Sequence, residues 1–423
     1  MKILWVKSGG LVPLDTGGKI RSFHLLKELA RQHQVDLFTF YQEHVGDAHP
    51  DLQRYFHRVV CLPLPIAPPK SLTDYARYAR NLFSLRPYSM TKYCRPEVAE
   101  KLRQHLQQQN YDVIVCDFFL TGAVIPWDLP SPKVLFTHNV EAQIWQRHYQ
   151  VSRNPVWKAV SWREYKTIAR LERRYLRQAD FVLTVSENDK DFFARFIARD
   201  KMAIVQTGVD VDYFHPTPGF EQPNALVFTG SMDWMPNEDA IVYFVERILP
   251  LIRRRNPEIT FWVVGRRPTV RLQALAAREK AVRVTGTVED IRPYVRQAAV
   301  YIVPLRIGGG TRIKIFEAMA EGKAVVSTSL GAEGLPVRHG ENIMLADQPE
   351  QFAEQVLALL KDETLRNRLG RAARQLVEQN YSWASVAQQL ATVLARTAKN
   401  SSGDAASLLL VAPSAESAAT RSR

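Results

Sequence analysis

Val300-Tyr-Ile-Val-Pro-Leu305, followed closely by Gly308-Gly-Gly-Thr-Arg-Ile-Lys-Ile-Phe-Glu-Ala-Met-Ala-Glu-Gly322, is the stretch from which the fold can be read. The first run is short and apolar, as a buried strand is. After the glycines, Ile313, Phe316, Met319 and Ala320 fall at helical spacing. A strand therefore feeds a glycine-rich turn, and the turn opens a helix. Such a turn gathers unpaired backbone N–H groups and the positive end of the helix dipole at one point, which suits a phosphate. Arg312 and Lys314 stand in the first helical turn, where the dipole repels cations; an anion between them removes that conflict. Glu317, one turn later, is too far along to cap the helix and can accept from a ligand hydroxyl. A phosphate site with a carboxylate beside it points to a sugar nucleotide.

Working outward, the same strand–helix alternation fills the chain. In the first half, strands are expected at 3–7, 35–40, 59–62, 112–116, 134–137, 181–185 and 203–206, with a helix from 20 to 32 among the intervening ones. A turn-rich connector, 207–219, interrupts the series. It resumes with strands at 225–229, 260–264, 282–285, 300–303 and 324–327 and a long helix from Asn237 to Arg255, stopped by Asn256-Pro257. Alternation of this kind gives parallel sheets covered on both faces by helices. At 423 residues the chain suits two such domains, each of about 200 residues. The fold class expected is therefore α/β, two doubly wound Rossmann-like domains facing across a cleft. The boundaries are 1–215 and 222–380, then a last helix at 381–396 and an Ala/Ser-rich tail, 397–423, without periodicity and expected to be disordered.

The formal charge is +13. Much of it lies in residues 68–103 and 145–178, where Lys and Arg far outnumber acids and alternate with aromatics, among them Tyr75, Phe83, Trp157 and Trp162. Two readings compete for these stretches: solvated helix faces whose aromatics pack inward, or a surface for an anionic bilayer. Nucleic acid is the weaker third and is not expected as a partner. No apolar run reaches the ~20 residues of a membrane span, and the N-terminus reads as a strand without a signal-peptide core. Cys61, Cys94 and Cys116 lack metal-type spacing, which predicts reduced thiols and a cytoplasmic protein, peripheral at the inner face of the membrane if the bilayer reading holds.

Ligands of doubly wound sheets bind beyond the carboxyl ends of the strands, at the point where strand order reverses. Several motifs fall there. Gly17-Gly18 opens the first helix but does not match G-x-G-x-x-G, and no acid ends the second strand, so a dehydrogenase is disfavoured. His138-Asn139-Val-Glu141 follows a buried strand; His138 is placed to donate to a sugar hydroxyl, and Glu141 to hold the imidazole or to act on the acceptor. Ser186 is explained as a helix N-cap. Gly230-Ser231 and Gly265-Arg266 end the first two strands of the second domain, where Arg266 can add charge to a diphosphate pocket. Asp210-Val-Asp212 has the form of a metal-binding pair, but its turn-forming surroundings make it structural. No metal or other cofactor is expected.

Together, the Gly308–Glu317 stretch with its Glu-Ala-Met-Ala-x-Gly ending, His138-Asn139, Thr184-Val-Ser-Glu187 and Gly208-Val-Asp-x-x-x-Phe214 resemble the retaining GT-B glycosyltransferases of family 4 over residues 1–395. The resemblance implies a nucleotide-sugar donor on the second domain, an acceptor on the first and a final helix that crosses back. Carried over by position, Glu317 binds the ribose hydroxyls. Gly310, Thr311 and Lys314 line the diphosphate, Gly17 and Gly18 close over it, and His138 faces the donor sugar. The family's first glutamate of an E-x7-E pair is replaced by Gly309, whose loop amides would stand in for it. The basic pair that follows the first strand of the second domain is also absent, so Arg306, Arg312 or Arg266 must supply that charge. The implied activity is hexosyl transfer from a nucleoside-diphosphate sugar to a lipid-linked or saccharide acceptor in cell-surface polysaccharide or glycolipid assembly. A sugar-nucleotide epimerase and a non-catalytic sugar-nucleotide-binding partner stand as alternatives.

Overall fold

The computed structural model describes residues 1–14, 16–40, 48–64, 66, 71–152, 154–217, 219, 221–307 and 313–401. Two parallel sheets organise them. The first contains β1 (Lys2–Ser8), β2 (Gln34–Phe40), β3 (Arg58–Leu62), β4 (Val113–Asp117), β5 (Lys133–Phe136), β6 (Phe181–Thr184) and β7 (Met202–Ile204). Its spatial order is β3-β2-β1-β4-β5-β6-β7. The second contains β8 (Gln222–Thr229), β9 (Thr260–Val264), β10 (Val282–Val284), β11 (Ala298–Val303), β12 (Ala324–Ser327) and β13 (Met344–Leu345). Its order is β10-β9-β8-β11-β12-β13. Ile3–Val6, Val113–Cys116 and Val300–Val303 are wholly buried apart from a trace at Tyr301, because helices cover both faces of each sheet and leave no polar side. Both sheets reverse order between their first and fourth strands, and both crevices open there.

The helices that shape these crevices are α1 (Gly17–Leu29), α2 (Leu72–Asn81), α3 (Glu141–Val151), α4 (Pro155–Gln178), α5 (Ile313–Ala320), α6 (Glu363–Asn380) and α7 (Trp383–Ser401). Thr16 caps α1 by accepting from the Lys19 N–H. The helix expected from 237 to 255 runs from Met235 to Arg253 with a π turn at Phe244–Ile248, just ahead of Pro250, whose missing N–H breaks the regular ladder. The short β13 was not among the expected strands; two residues are too few to carry a pattern. The closing helix begins at Trp383 and reaches Ser401, so the tail expected from 397 begins inside it. Residues 402–423 lie outside the described residues.

Three apolar cores result. One fills the second domain, and the other two lie on the two faces of the first sheet. Trp383, Val386, Leu390 and Leu394 of α7 belong to a first-domain core that also contains Ile3, Leu25, Val113 and Val134. The helix thus crosses back and packs beside α1, where Trp383 stacks on His24 with ring centroids 5.0 Å apart. The connector lies beneath it: the Val209 N–H donates to the Tyr381 carbonyl at 2.7 Å, and a Cβ at Gly208 would stand 2.6 Å from the Trp383 ring. Leu390→Ala removes a fully buried anchor of this crossing and should cost about 2–5 kcal/mol in urea unfolding.

Candidate active site

On the first domain the site is built around Asp117, the last residue of β4, whose side chain is wholly buried. Its Oδ2 accepts from Trp5 Nε1 at 2.8 Å and Ser22 Oγ at 2.6 Å and lies 3.2 Å from Lys7 Nζ. Its Oδ1 is 2.6 Å from His138 Nε2. Burial acts to raise this carboxyl, but Lys7, His138 and Ser22 overcome it and hold it below the ordinary carboxylate range. The other imidazole nitrogen, Nδ1, is 3.0 Å from Arg21 NH1. A guanidinium can only donate, so Nδ1 accepts and Nε2 carries the hydrogen given to Asp117. Burial, aided by the charges of Arg21 and Lys7 and opposed by Asp117, lowers His138 to about 4, so the ring is neutral at pH 7. Arg21 is itself buried, which lowers it to about 10, and its Nε donates to Thr207 Oγ1 at 2.9 Å.

This arrangement corrects the expectation for His138 and Glu141. Asp117, not Glu141, holds the imidazole, and both ring nitrogens already have protein partners. Glu141 starts α3; its backbone N–H donates to Glu172 Oε1 of α4 at 2.9 Å. Burial pushes Glu141 up to about 7, against a hydrogen bond from the Asn139 side chain. Burial, then the neighbouring charge of Glu141, pushes Glu172 up to about 8. Burial thus favours the protonated form of both carboxyls.

On the second domain, Gly230 and Gly265 directly follow β8 and β9 with φ of 156° and 152°. A Cβ on Gly265 would lie 1.7 Å from the Gly230 carbonyl oxygen, so the two strand ends meet at a distance only glycine allows. Ser231 and Arg266 come together there, Arg266 Nε donating to Ser231 Oγ at 2.7 Å. Lys314 Nζ, at the start of α5, donates to Asn237 Oδ1 at 2.8 Å and lies 3.9 Å from the centre of the Phe228 ring. Asn237 is buried and returns a bond from Nδ2 to the Ser231 carbonyl at 2.8 Å. Glu317, on α5, is partly exposed. Burial pushes it up to about 7 against the opposing charge of Lys314. Its carboxylate has no hydrogen bond to a described residue, which leaves it available to a ligand.

The two half-sites face each other. A Cβ on Gly17 would stand 3.5 Å from Ile313 Cδ1 at the head of α5, and one on Gly18 would stand 3.6 Å from His138 Nδ1. A second link joins Asn188 Nδ2 to Glu333 Oε1 at 3.1 Å. Arg306 is engaged elsewhere: Asp239 takes its guanidinium at 2.6 and 3.1 Å, and the Tyr243 ring lies 4.2 Å beneath it. The opposite charge of Asp239 satisfies it, so the structure does not offer Arg306 as the diphosphate cation. Gly309, Gly310, Thr311 and Arg312 lie outside the described residues. In the connector, Asp210 Oδ1 accepts from the N–H groups of Asp212 and Tyr213 at 3.2 and 2.9 Å, the turn chemistry expected of that pair. No group of His, Cys, Asp or Glu able to hold a metal occurs among the described residues.

Sequence reasoning missed Asp117, Arg21, Glu172 and Asn237. Asp117 had a usable signal, since it ends a strand on the crevice side of the sheet. Arg21 and Glu172 sit within amphipathic helices, where their charges read as solvated, and Asn237 reads as a helix start.

Two domains of this topology, facing across a cleft with a helix that crosses back, are the GT-B architecture. The architecture recurs in solved structures: sucrose-phosphate synthase from Thermosynechococcus elongatus superposes with a TM-score of 0.66 at 18% identity, covering 93% of this chain and 98% of that one. Anabaena HepE in complex with UDP and glucose gives 0.62 at 16%, covering 93% and 99%. The description Glycosyltransferase Family 4 matches residues 16–213 and Glycosyl transferases group 1 matches residues 223–362. The chain belongs to this glycosyltransferase family. An uncharacterized 44.6 kDa protein in the cps region of Klebsiella pneumoniae is 21% identical over 400 residues, 90% of this chain and 96% of that protein. The phosphatidyl-myo-inositol mannosyltransferase of Mycobacterium tuberculosis is 30% identical over 202 residues, 45% of this chain and only 52% of that enzyme.

Asp117→Asn would leave buried cations facing a neutral group, and chemical unfolding should show a loss of about 3–5 kcal/mol. Glu172 has its folded value raised above the unfolded 4.5, so its stabilisation is complete below pH 4.5 and fades as pH rises through about 8. Glu172→Gln copies the protonated acid and keeps the acceptor for the Glu141 N–H. The variant should exceed wild type by at least about 1 kcal/mol at pH 8, one pKa unit's worth, with the difference gone at pH 4.5.

Proposed function

We propose that the chain is a retaining hexosyltransferase that carries a sugar from a nucleoside diphosphate to an acceptor hydroxyl in polysaccharide or glycolipid assembly. The observation that carries this reading is Glu317: a carboxylate without a hydrogen-bond partner among the described residues, near Lys314 on the helix that follows the glycine-rich turn. Glu317 would accept from the ribose hydroxyls of the donor. Lys314, steadied by Asn237, would meet the diphosphate together with Arg266 and the head of α5. In the reaction the anomeric carbon exchanges its diphosphate oxygen for the acceptor oxygen, and the acceptor proton passes to the released diphosphate or to solvent. Negative charge grows on the leaving group, where a fixed cation and helix N-terminus are most effective.

On the opposite wall, neutral His138 would pack against the donor sugar, its orientation set by Asp117 and Arg21, while Gly17 and Gly18 would close over the diphosphate. Close approach of the two walls would keep water from competing with the acceptor. A UDP-containing neighbour supports a nucleotide donor. A relative named for phosphatidyl-myo-inositol supports a lipid-linked acceptor, and saccharide acceptors stand beside it. No metal is required by this scheme.

The test is incubation with a panel of nucleotide sugars and a membrane-lipid extract, followed by anomeric analysis of the product by NMR. Transfer with retained configuration is expected. Glu317→Ala should raise the donor KM about 10- to 100-fold, the loss of charged hydrogen bonds. Lys314→Met should lower kcat about 100-fold. Donor binding without transfer to any acceptor tried would favour a non-catalytic binding partner, and absence of donor binding would overturn the reading.

A further inference from the structure

The basic, aromatic stretches resolve into two populations. Tyr78, Tyr88, Tyr93, Tyr165 and Tyr175 are wholly or partly buried. Others stand out from the surface, on α4 and on the turn that Arg163 of α4 holds. α4 buries Glu164, Ile168, Glu172 and Leu176 on one face. On the other, Lys158, Trp162, Lys166, Arg170, Arg173 and Arg177 recur at steps of three and four and are all exposed, a single stripe along the helix. Lys166, Arg170, Arg173, Arg174 and Arg177 line an open groove of about 490 Å³ that contains no carboxylate. Lys166, Arg170, Arg174 and Arg177 have no ion pair among the described residues, while Arg173 covers the Phe196 ring at 4.7 Å.

Beside this stripe the turn after α2 holds an apolar tip out to solvent: Phe83 is 95% exposed and Leu85 70%. The tip is built rather than loose. Arg163, next to Trp162, donates to the Ser84 carbonyl at 2.9 Å and to the Asn81 carbonyl. Its charge pairs with Glu164 at 2.7 Å, and Glu164 in turn accepts the Tyr88 N–H at 3.0 Å. Asn81 Nδ2 closes the turn on the Arg86 carbonyl at 3.1 Å. Leu72, Leu82 and Val156 are exposed as well, whereas Trp157 turns toward α3, its ring 6.1 Å from that of Trp145. An ordered set of large apolar side chains in water marks an interaction surface.

We infer that this side of the first domain seats on an anionic lipid bilayer. Phe83, Leu85 and their apolar neighbours enter the headgroup–acyl boundary, and the α4 stripe lies over phosphate headgroups. Charge complementarity selects the lipid sign, and aliphatic side chains beside tryptophan select a hydrocarbon interface. Nucleic acid would satisfy the arginines but gives Leu72, Leu85 and Val156 nothing apolar to enter. The inference does not depend on the transferase reading, because binding is measured without donor or acceptor.

The full chain is sedimented with vesicles of phosphatidylcholine alone and with vesicles in which a third of the lipid is phosphatidylglycerol. Binding to the anionic vesicles should be at least about tenfold tighter and should weaken with salt, since each cation at such a surface adds roughly fivefold. Arg170→Glu/Arg173→Glu/Arg177→Glu and, separately, Phe83→Asp/Leu85→Asp should each weaken it at least about tenfold. These positions are exposed, so unchanged thermal unfolding verifies the fold. Equal binding to neutral and anionic vesicles, or binding to an RNA probe but to neither vesicle, would overturn the inference. Full retention by the Phe83→Asp/Leu85→Asp variant would overturn insertion of the tip.

Discussion

The first domain is organised by one buried negative charge. An isolated carboxylate removed from water is prohibitively unfavourable, and Asp117 is tolerable only because a lysine, an imidazole, an indole and a hydroxyl converge on it. Those partners come from β1, from α1 and from the segment after β5, so satisfying the charge also fixes where these elements end relative to one another. The same contacts decide the chemistry of His138. With a guanidinium on one ring nitrogen and a carboxylate on the other, the imidazole has one tautomer and one orientation, and burial, aided by the cations and opposed by Asp117, disfavours its protonation. At neutral pH the ring is uncharged and held on both sides.

The second domain solves the opposite problem. Its strand ends are brought so close at Gly230 and Gly265 that no side chain intervenes. The space is instead lined by backbone, by Lys314 and by Asn237. Where Asp117 is surrounded, Glu317 has no hydrogen-bond partner among the described residues. Its raised value of about 7 reflects burial without adequate compensation, the state expected of a carboxylate whose partner is a ligand. The contrast is between a closed polar network on the first domain and an unfinished one on the second.

The fold was legible because burial on both faces makes parallel strands nearly continuous apolar runs, and each of the longer strands carried such a run. Elements without that signature escaped, as the two-residue β13 did. On the second domain, Ser231 and Arg266 could be named because they stand beside glycines after strand ends, and Lys314 and Glu317 because they lie on the helix that a glycine-rich turn opens. The first-domain network could not be assembled in the same way. Arg21 and Glu172 point inward from helices most of whose other charges are at least partly exposed, and a one-dimensional pattern does not say which charge is buried. His138 was picked out, but its partner was misjudged, since Glu141 is near in sequence and Asp117 is near across the sheet through the β4–β5 pairing.

The chain passes between the domains twice, at the connector and at the start of α7, and the two passages touch. The Val209–Tyr381 hydrogen bond and the seating of Gly208 on Trp383 clasp them together, while Thr207 is held by Arg21. Two strands pinned side by side behave as a single pivot. They resist shear, in which one sheet would slide past the other, and leave rotation about the clasp as the soft coordinate. Rotation about this clasp would carry the two domains as the jaws of a pair of tongs.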